Sequence, residues 1–304
     1  MSIVEAAPSR FSLIRPWSIW RRLGFKTVAG SLMLCLVIIV ALLAPIIAPV
    51  DPTAIDPSNR NRPAGYTVSQ RDDDGVLSER VALLGTDSLG RDLFSRVIHG
   101  SRISLIVGLS VAMLAVVVGT VIGLVAGYVR WLDGPVMRVM DGLMAIPNIL
   151  LALTLVSLIG ASLWAVILAV MLVDIPRVVR LVRSIVLSVR EEPYVEAAVA
   201  LGSKTPKVLR RHVLLNTFAP LLVQATFLAS AAILLESGLS FLGVGLPPEI
   251  PTWGNVIASG RSTFQVYPQI ILYPALFLSF TVLAINMLGD GLRDTLDPRL
   301  AKRI

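Results

Sequence analysis

Few side chains in this sequence of 304 residues could make or break bonds. The two histidines, His99 and His212, stand far apart and both beside loops, and the one cysteine, Cys35, lies inside an apolar block. Cys35 therefore has no intramolecular disulfide partner and supplies no cysteine-based metal site. Asp72-Asp73-Asp74-Gly75 invites a calcium reading, yet it lacks the spaced oxygen ligands and distal Glu of an EF-hand loop. It reads as a solvated loop. Gly202-Ser203-Lys204-Thr205 looks like the end of a phosphate-binding loop. However, Ser separates Gly from Lys, the motif's first glycine is missing and no strand precedes it. No nucleotide, cofactor or metal is expected to bind. Two carboxylates remain within or beside apolar runs, Asp174 and Glu236, and such groups carry ions or protons in secondary transporters. Asp174 stands close to Arg177 and Arg180 and reads as part of an interfacial ion pair. Glu236 reads as a packing residue for an outer segment, with substrate contact as the alternative.

The elements that position these groups are membrane helices. The hydrophobic fraction is 55% and only 15% of residues are charged, with a mean hydropathy of +0.78. A soluble chain of this size has about a quarter of its residues charged, and several apolar blocks here reach the roughly 20 residues that cross a bilayer core. Soluble enzymes, secreted disulfide scaffolds and disordered chains are excluded. Val28–Val50 and Ile103–Val129 carry no charge. Gly142–Val173 is too long for one span, and Gly160-Ala161-Ser162 divides it into two, the second running into the Asp174–Pro176 region. Val213–Leu235 and Ser262–Gly289 complete six spans, with Tyr267-Pro268 marking entry to the last helix. The first block exceeds the length of a signal peptide's apolar region and reads as an uncleaved anchor. Trp17 and Trp20, beside Arg21 and Arg22, read as interface anchors. No internal repeat is visible, which weighs against an inverted-repeat transporter.

Six spans put both termini on one side, and Lys/Arg counting says which. The tails, the Arg130–Asp141 loop and Arg177–Arg211 hold 19 of these residues against 8 opposite. By the positive-inside rule both termini are cytoplasmic. The same rule accounts for the net charge of +7 without invoking nucleic acid.

The loop between the fourth and fifth spans is the most informative. Pro193 is suited to a first helical position, Glu191 and Glu192 to the positive end, and Gly202 to a left-handed stop. Thr205 as N-cap and Pro206 start a second helix over Lys207–Leu215. Ala197, Ala198 and Ala200 give the first helix a low profile that another surface could approach closely. An ordinary interfacial helix has the same composition, alanine being the best helix former.

At these residues the chain resembles a known family. Glu196-Ala197-Ala198, three residues, then Gly202 is similar to the EAA loop of bacterial ATP-binding-cassette importer permeases, Leu215 standing where that motif has proline. Four further stretches resemble the dipeptide/oligopeptide/nickel permease group. They are Leu84-Gly85-Thr86-Asp87-Ser88-Leu89-Gly90-Arg91-Asp92, Glu236-Ser237-Gly238-Leu239-Ser240-Phe241-Leu242-Gly243, Pro251-Thr252-Trp253-Gly254-Asn255, and Gly289-Asp290-Gly291-Leu292-Arg293-Asp294 with Leu296-Asp297-Pro298-Arg299. The first outer loop resembles that of the "C" partner of a two-permease heterodimer.

The resemblance implies an all-α polytopic membrane protein of type I importer architecture. Two permeases would form the pathway, two cytoplasmic ATPases would power it, and a periplasmic binding protein would deliver the solute. This chain would not itself be catalytic. Glu196, Ala197, Ala198, Leu201 and Gly202 would couple it to the ATPase, and the other motifs would be structural. The implied division is a cytoplasmic tail over 1–27, a first transmembrane helix over 28–50 and a periplasmic loop over 51–102. A five-helix core over 103–290, with its coupling loop at 183–216, precedes a cytoplasmic tail over 291–304. Di- or oligopeptide is the expected solute, with nickel, glutathione or another small solute as alternatives. An ATP-independent secondary transporter or channel is the alternative of a different class.

Overall fold

The computed structural model describes residues 24–48, 50–71 and 77–296. Asp72–Gly75, Trp17, Trp20, Asp297, Pro298 and Arg299 lie outside them. Helix α1 (Phe25–Ile47) leads to a short 3-10 turn (Pro57–Asn59) and an antiparallel hairpin, β1 (Tyr66–Arg71) and β2 (Leu77–Ala82), in which Tyr66 faces Ala82. This hairpin is absent from the all-helical expectation. Its inner face buries Val68 and Ala82.

Helix α2 (Leu93–Tyr128) is 36 residues long, about 54 Å at 1.5 Å per residue. It begins well before the expected Ile103. Arg96, His99 and Arg102 mark that stretch as loop in the sequence, but Asp92 caps the helix by accepting from the Ser95 amide at 2.8 Å, and Arg96 is buried by partners described below. Then follow α3 (Arg130–Ala145), α4 (Asn148–Ile159) and α5 (Leu163–Val189). The axes of α3 and α4 meet at 94° across Ile146-Pro147. Pro147 removes an amide there and disfavours helical backbone at Ile146. The expected break at Gly160-Ala161-Ser162 is present: Gly160 has φ +97° and Ser162 caps α5 by accepting from the Ala165 amide at 3.1 Å.

Helix α5 runs to Val189 instead of ending near Pro176, because its charges find partners on α3. Beyond it come α6 (Pro193–Ala200), α7 (Thr205–Val208), a π turn (Leu209–Val213), α8 (Leu214–Phe241), α9 (Trp253–Ser259) and α10 (Gln269–Leu296). Lys204, not Thr205, occupies the N-cap of α7, and α7, the π turn and α8 form one continuous 37-residue helical run. Helix α10 begins directly after Tyr267-Pro268 and continues past Gly289.

Among the described residues four helical runs are long and apolar enough to cross a membrane: α1, α2, α7–α8 and α10; a fifth appears if the bent α3–α4 pair is one span. Helix α5, at 27 residues, has the length, but Asp174 stands near its middle and Arg177, Arg180 and Arg183 follow in its second half.

The most extensive helix contact joins α2 to α5. A Cβ added at Gly119, Gly123 or Gly127 would lie 2.6–2.8 Å from the Cβ of Val178, Val182 or Val186 respectively. Lipid tails are as apolar as leucine, so close backbone approach and dispersion, rather than hydrophobic exclusion, hold membrane helices together. Glycines recurring every fourth residue line one face of α2 and permit that approach.

Candidate functional site

Three of the motifs, one of them about 150 residues from the other two, meet at the hairpin end of the bundle. In the first, Gly85 (φ +85°) and Gly90 (φ +79°) fold residues 84–92 into a compact loop. Asp87 accepts from the Leu89 amide at 2.9 Å, the Arg91 amide at 3.0 Å and Arg91 Nε at 2.7 Å. Thr86 Oγ1 donates to the Asn59 carbonyl and accepts from the Arg62 amide, tying the loop to the 3-10 turn. At that turn, partial burial would raise the Asp56 carboxyl. Hydrogen bonds from Ser58 and Asn59 more than offset this and hold it below its ordinary value. Asp92, besides capping α2, receives Arg80 of β2 at 2.8 Å.

The second and third motifs close over this loop. Arg91 and Arg96 both donate to the Pro248 carbonyl, at 3.2 and 3.3 Å, and Arg96 also reaches the Pro52 carbonyl at 3.1 Å. Arg96 Nε lies 3.8 Å from Asp87, so one buried carboxylate serves two guanidiniums. Trp253 is fully buried; its indole donates to the Val97 carbonyl at 3.1 Å and its amide to Ser104 Oγ at 3.3 Å. Glu236, also fully buried, accepts from Ser240 at 2.8 Å and Thr252 at 2.9 Å. A side chain on Gly254 would press on the Ser237 backbone at 2.6 Å. Asn255 donates to the carbonyls of Leu246, Pro247 and Ile250 and so shapes the loop that presents Pro248.

Gly85, Thr86, Asp87, Gly90, Arg91, Asp92, Glu236, Trp253 and Gly254 thus belong to one polar network. Sequence reasoning missed Arg80 and Arg96, which carry no local signal; Thr252 and Ser240 stood within the motifs, but their bonds to Glu236 need the fold. Among the described residues no His/Cys/Asp/Glu group is placed to hold a metal. The network can brace a segment; it has no nucleophile–base pair.

The fourth motif lies at the opposite end. Gly291 and Gly289 let α10 close on Thr27 of α1 and Thr226 of α8. Asp290 is half-buried and Arg293 is exposed, while Asp294 comes within 3.9 Å of Lys26.

The loop after α5 is built differently. Pro193 stands at the first position of α6, with Glu192 at its N-cap. At its far end Gly202 has φ +82°, its amide donates to the Val199 carbonyl at 2.9 Å, and the Ser203 amide donates to Ala198 at 3.0 Å. This is the paired bonding of a Schellman stop, so the glycine corner forms as the sequence predicts. The resemblance of residues 202–205 to a phosphate loop dissolves: a helix stop precedes Lys204, not a strand. Within α6 only Val195 is buried; Glu196 and Ala197 are exposed, and Leu201 is 87% exposed. Beyond its two chain neighbours, no heavy atom lies within 4 Å of the position a Gly202 Cβ would take. Tyr194 steadies the helix from the other side, accepting from Asn216 at 3.1 Å and standing 5.9 Å from the His212 ring.

Asp174 is buried and receives Arg177 at 2.8 Å, as its spacing predicts; Arg180 pairs instead with Asp141 of α3.

A bundle of long apolar helices with one largely exposed loop helix is the architecture of a polytopic membrane protein. The family described as "Binding-protein-dependent transport system inner membrane component" matches residues 119–302, and the chain belongs to it. It is a multi-pass inner membrane protein, the translocating component of an importer whose ATPase and solute-binding parts are other subunits. Among relatives, the probable peptide ABC transporter permease protein y4tQ of Sinorhizobium fredii is 52% identical over 72% of this chain and 75% of its own length. The dipeptide transport system permease protein DppC of Alkalihalophilus pseudofirmus is 36% identical over 96% and 92% respectively. The glutathione transport system permease protein GsiD of Pectobacterium atrosepticum is 37% identical over 95% and 93%. In fold, the chain is similar to one from the inward-facing MetNI methionine ABC transporter. That likeness has a TM-score of 0.56 at 18% identity, over 67% of this chain and 98% of the other.

Proposed function

We propose that this chain is one of two different permeases that together form a pathway for di- or oligopeptides, with α6 as the helix that docks on an ATPase. The observation that carries the docking role is the contrast within α6. It is a well-terminated helix with low-profile Ala197, Ala198 and Ala200, yet little of it packs on its own chain. A helix kept in order without burial fits a surface completed by another subunit. Relatives named for peptide and dipeptide transport support the solute class; the glutathione relative, itself named for a tripeptide-sized solute, keeps that alternative open within the same chemistry.

In the same reading α5 is a span despite its charges, α3–α4 is one bent span, and six crossings leave both termini in the cytoplasm. The hairpin end then faces the periplasm. The motif residues there, from Gly85 to Asp92 with Glu236, Trp253 and Gly254, act as structural braces. A cysteine at Ser203 should be labelled only from the cytoplasm and one at Ser69 only from outside.

The function is tested in vesicles holding this permease, its partner and the ATPase subunits, with binding protein and a radiolabelled dipeptide outside. Uptake that requires ATP and all components is the expected result. Uptake by vesicles holding this polypeptide alone would replace the reading with a channel or secondary carrier.

A further inference from the structure

Helix α6 is attached to the bundle mainly through its ends, so force applied to it enters α5 on one side and the α7–α8 run on the other. What α5 is fastened to therefore decides what moves. Two ion pairs fasten it to α3. Arg183 grips Asp133 with both Nε and a terminal nitrogen, the latter at 2.7 Å from Oδ2, a two-pronged pairing with fixed geometry. Three residues earlier on the same face, Arg180 meets Asp141 at 2.6 Å. Below them an apolar seam of Met140, Ile175 and Val179 closes the contact. At the end of α5, Arg190 donates to the Gly127 carbonyl at the end of α2, at 3.3 Å. These fastenings lie within α5's last turns, immediately before α6 begins. The far end of α3, in contrast, is the 94° break at Ile146-Pro147.

We propose that Asp133 and Asp141 are positioning residues for coupling: through Arg183 and Arg180 they make α3 move with α5, so that ATPase-driven motion of α6 reaches α4 by way of the Ile146-Pro147 break. This rests on the importer reading of α6. Unpaired, Arg180 and Arg183 would be drawn to water or lipid headgroups, and α3 would be held to α5 by the apolar seam alone, its other packing being on Val118 and Ile122 of α2. The more exposed pair, Arg180–Asp141, is the weaker of the two, since solvent screens it.

The test uses the complete importer in a Cys35→Ser background, with spin labels on cysteines at Val139 of α3 and Ser184 of α5, both exposed. Distances are measured without nucleotide and after trapping with ATP and vanadate. With the native pairs, one narrow distance is expected in both states. With Asp133→Asn and Asp141→Asn together, the distance should broaden and differ between states, while solute moved per ATP hydrolysed falls several-fold. The exchange Asp133→Arg with Arg183→Asp should restore both, at the membrane abundance of the unaltered chain. A state-dependent distance with native pairs, an unchanged distance in the double variant, or no rescue by the exchange would each overturn the proposal. If no ATPase co-purifies with the unaltered chain, the importer reading has failed. The distances in the isolated chain still decide whether the ion pairs hold α3 to α5.

Discussion

The motif residues at the two ends of this molecule are satisfied in opposite ways. At the hairpin end, Asp87, Arg91, Glu236 and Trp253 are buried, and each finds its hydrogen-bond partners within the same chain. At the loop end, Glu196, Ala197 and Leu201 are exposed, and their helix is held by its own terminal bonds. Both look alike as sequence motifs. The buried set explains itself within one subunit, whereas the exposed set makes sense only with a second surface present. Substitutions should therefore damage folding at one end and assembly at the other.

The largest effect is expected from Asp87→Ala. It strands Arg91 and Arg96 in a buried site without their shared carboxylate, and breaking a buried pair in this way costs about 3–5 kcal/mol. Membrane abundance and the thermal midpoint in detergent should both drop. A loss under about 1 kcal/mol would erase the proposed difference between the ends. Next comes Gly202→Val, which forces a β-branched residue to positive φ at about 1–2 kcal/mol. The cost is local to the loop, so insertion and pairing with the other permease should be normal while transport is lost. Ser240→Ala removes one of the hydroxyls donating to Glu236, worth about 1 kcal/mol, and should lower the thermal midpoint slightly while leaving ATPase association intact. Ala198→Trp should cost less stability than the changes above, since Ala198 is only half-buried on a helix whose other residues, Val195 apart, are exposed. It should nevertheless abolish ATPase co-purification. Full transport by both Ala198→Trp and Gly202→Val at equal abundance would leave the loop a structural linker.

The sequence was most readable where a single local rule governs. Uncharged apolar runs located α1, α8, α10 and most of α2, and Pro193 with Gly202 bounded α6 because helix starts and stops are written in a few adjacent residues. Reading failed where long-range pairing changes the meaning of a charge. Arg96 and Arg102 ended a span on paper, but Arg96 continues the helix because Asp87 and Pro248 meet it from elsewhere in the chain. Arg180 and Arg183 likewise cut α5 short until Asp141 and Asp133 come into view. The hairpin escaped because two six-residue strands with one buried face give a weak alternating pattern. Of the candidate site, residue types and local turns were legible. That three separate motifs form one network was not, since nothing in residues 84–92 names Pro248 or Thr252.

The stripe of Gly119, Gly123 and Gly127 against Val178, Val182 and Val186 has a mechanical meaning beyond tight packing. Both series advance in the same direction, so the helices lie parallel there and the three valines sit like teeth in three notches. Slide α5 one turn toward the hairpin end and Val178 meets Ala115, whose methyl fills the place a fourth notch would need. Slide it one turn the other way and Val186 passes beyond the last glycine. Shear between these helices is thus blocked in one direction and loses a tooth in the other. Of the two common ways packed helices move, only joint tilting or rotation remains open to this pair: α2 and α5 turn as a single keyed shaft.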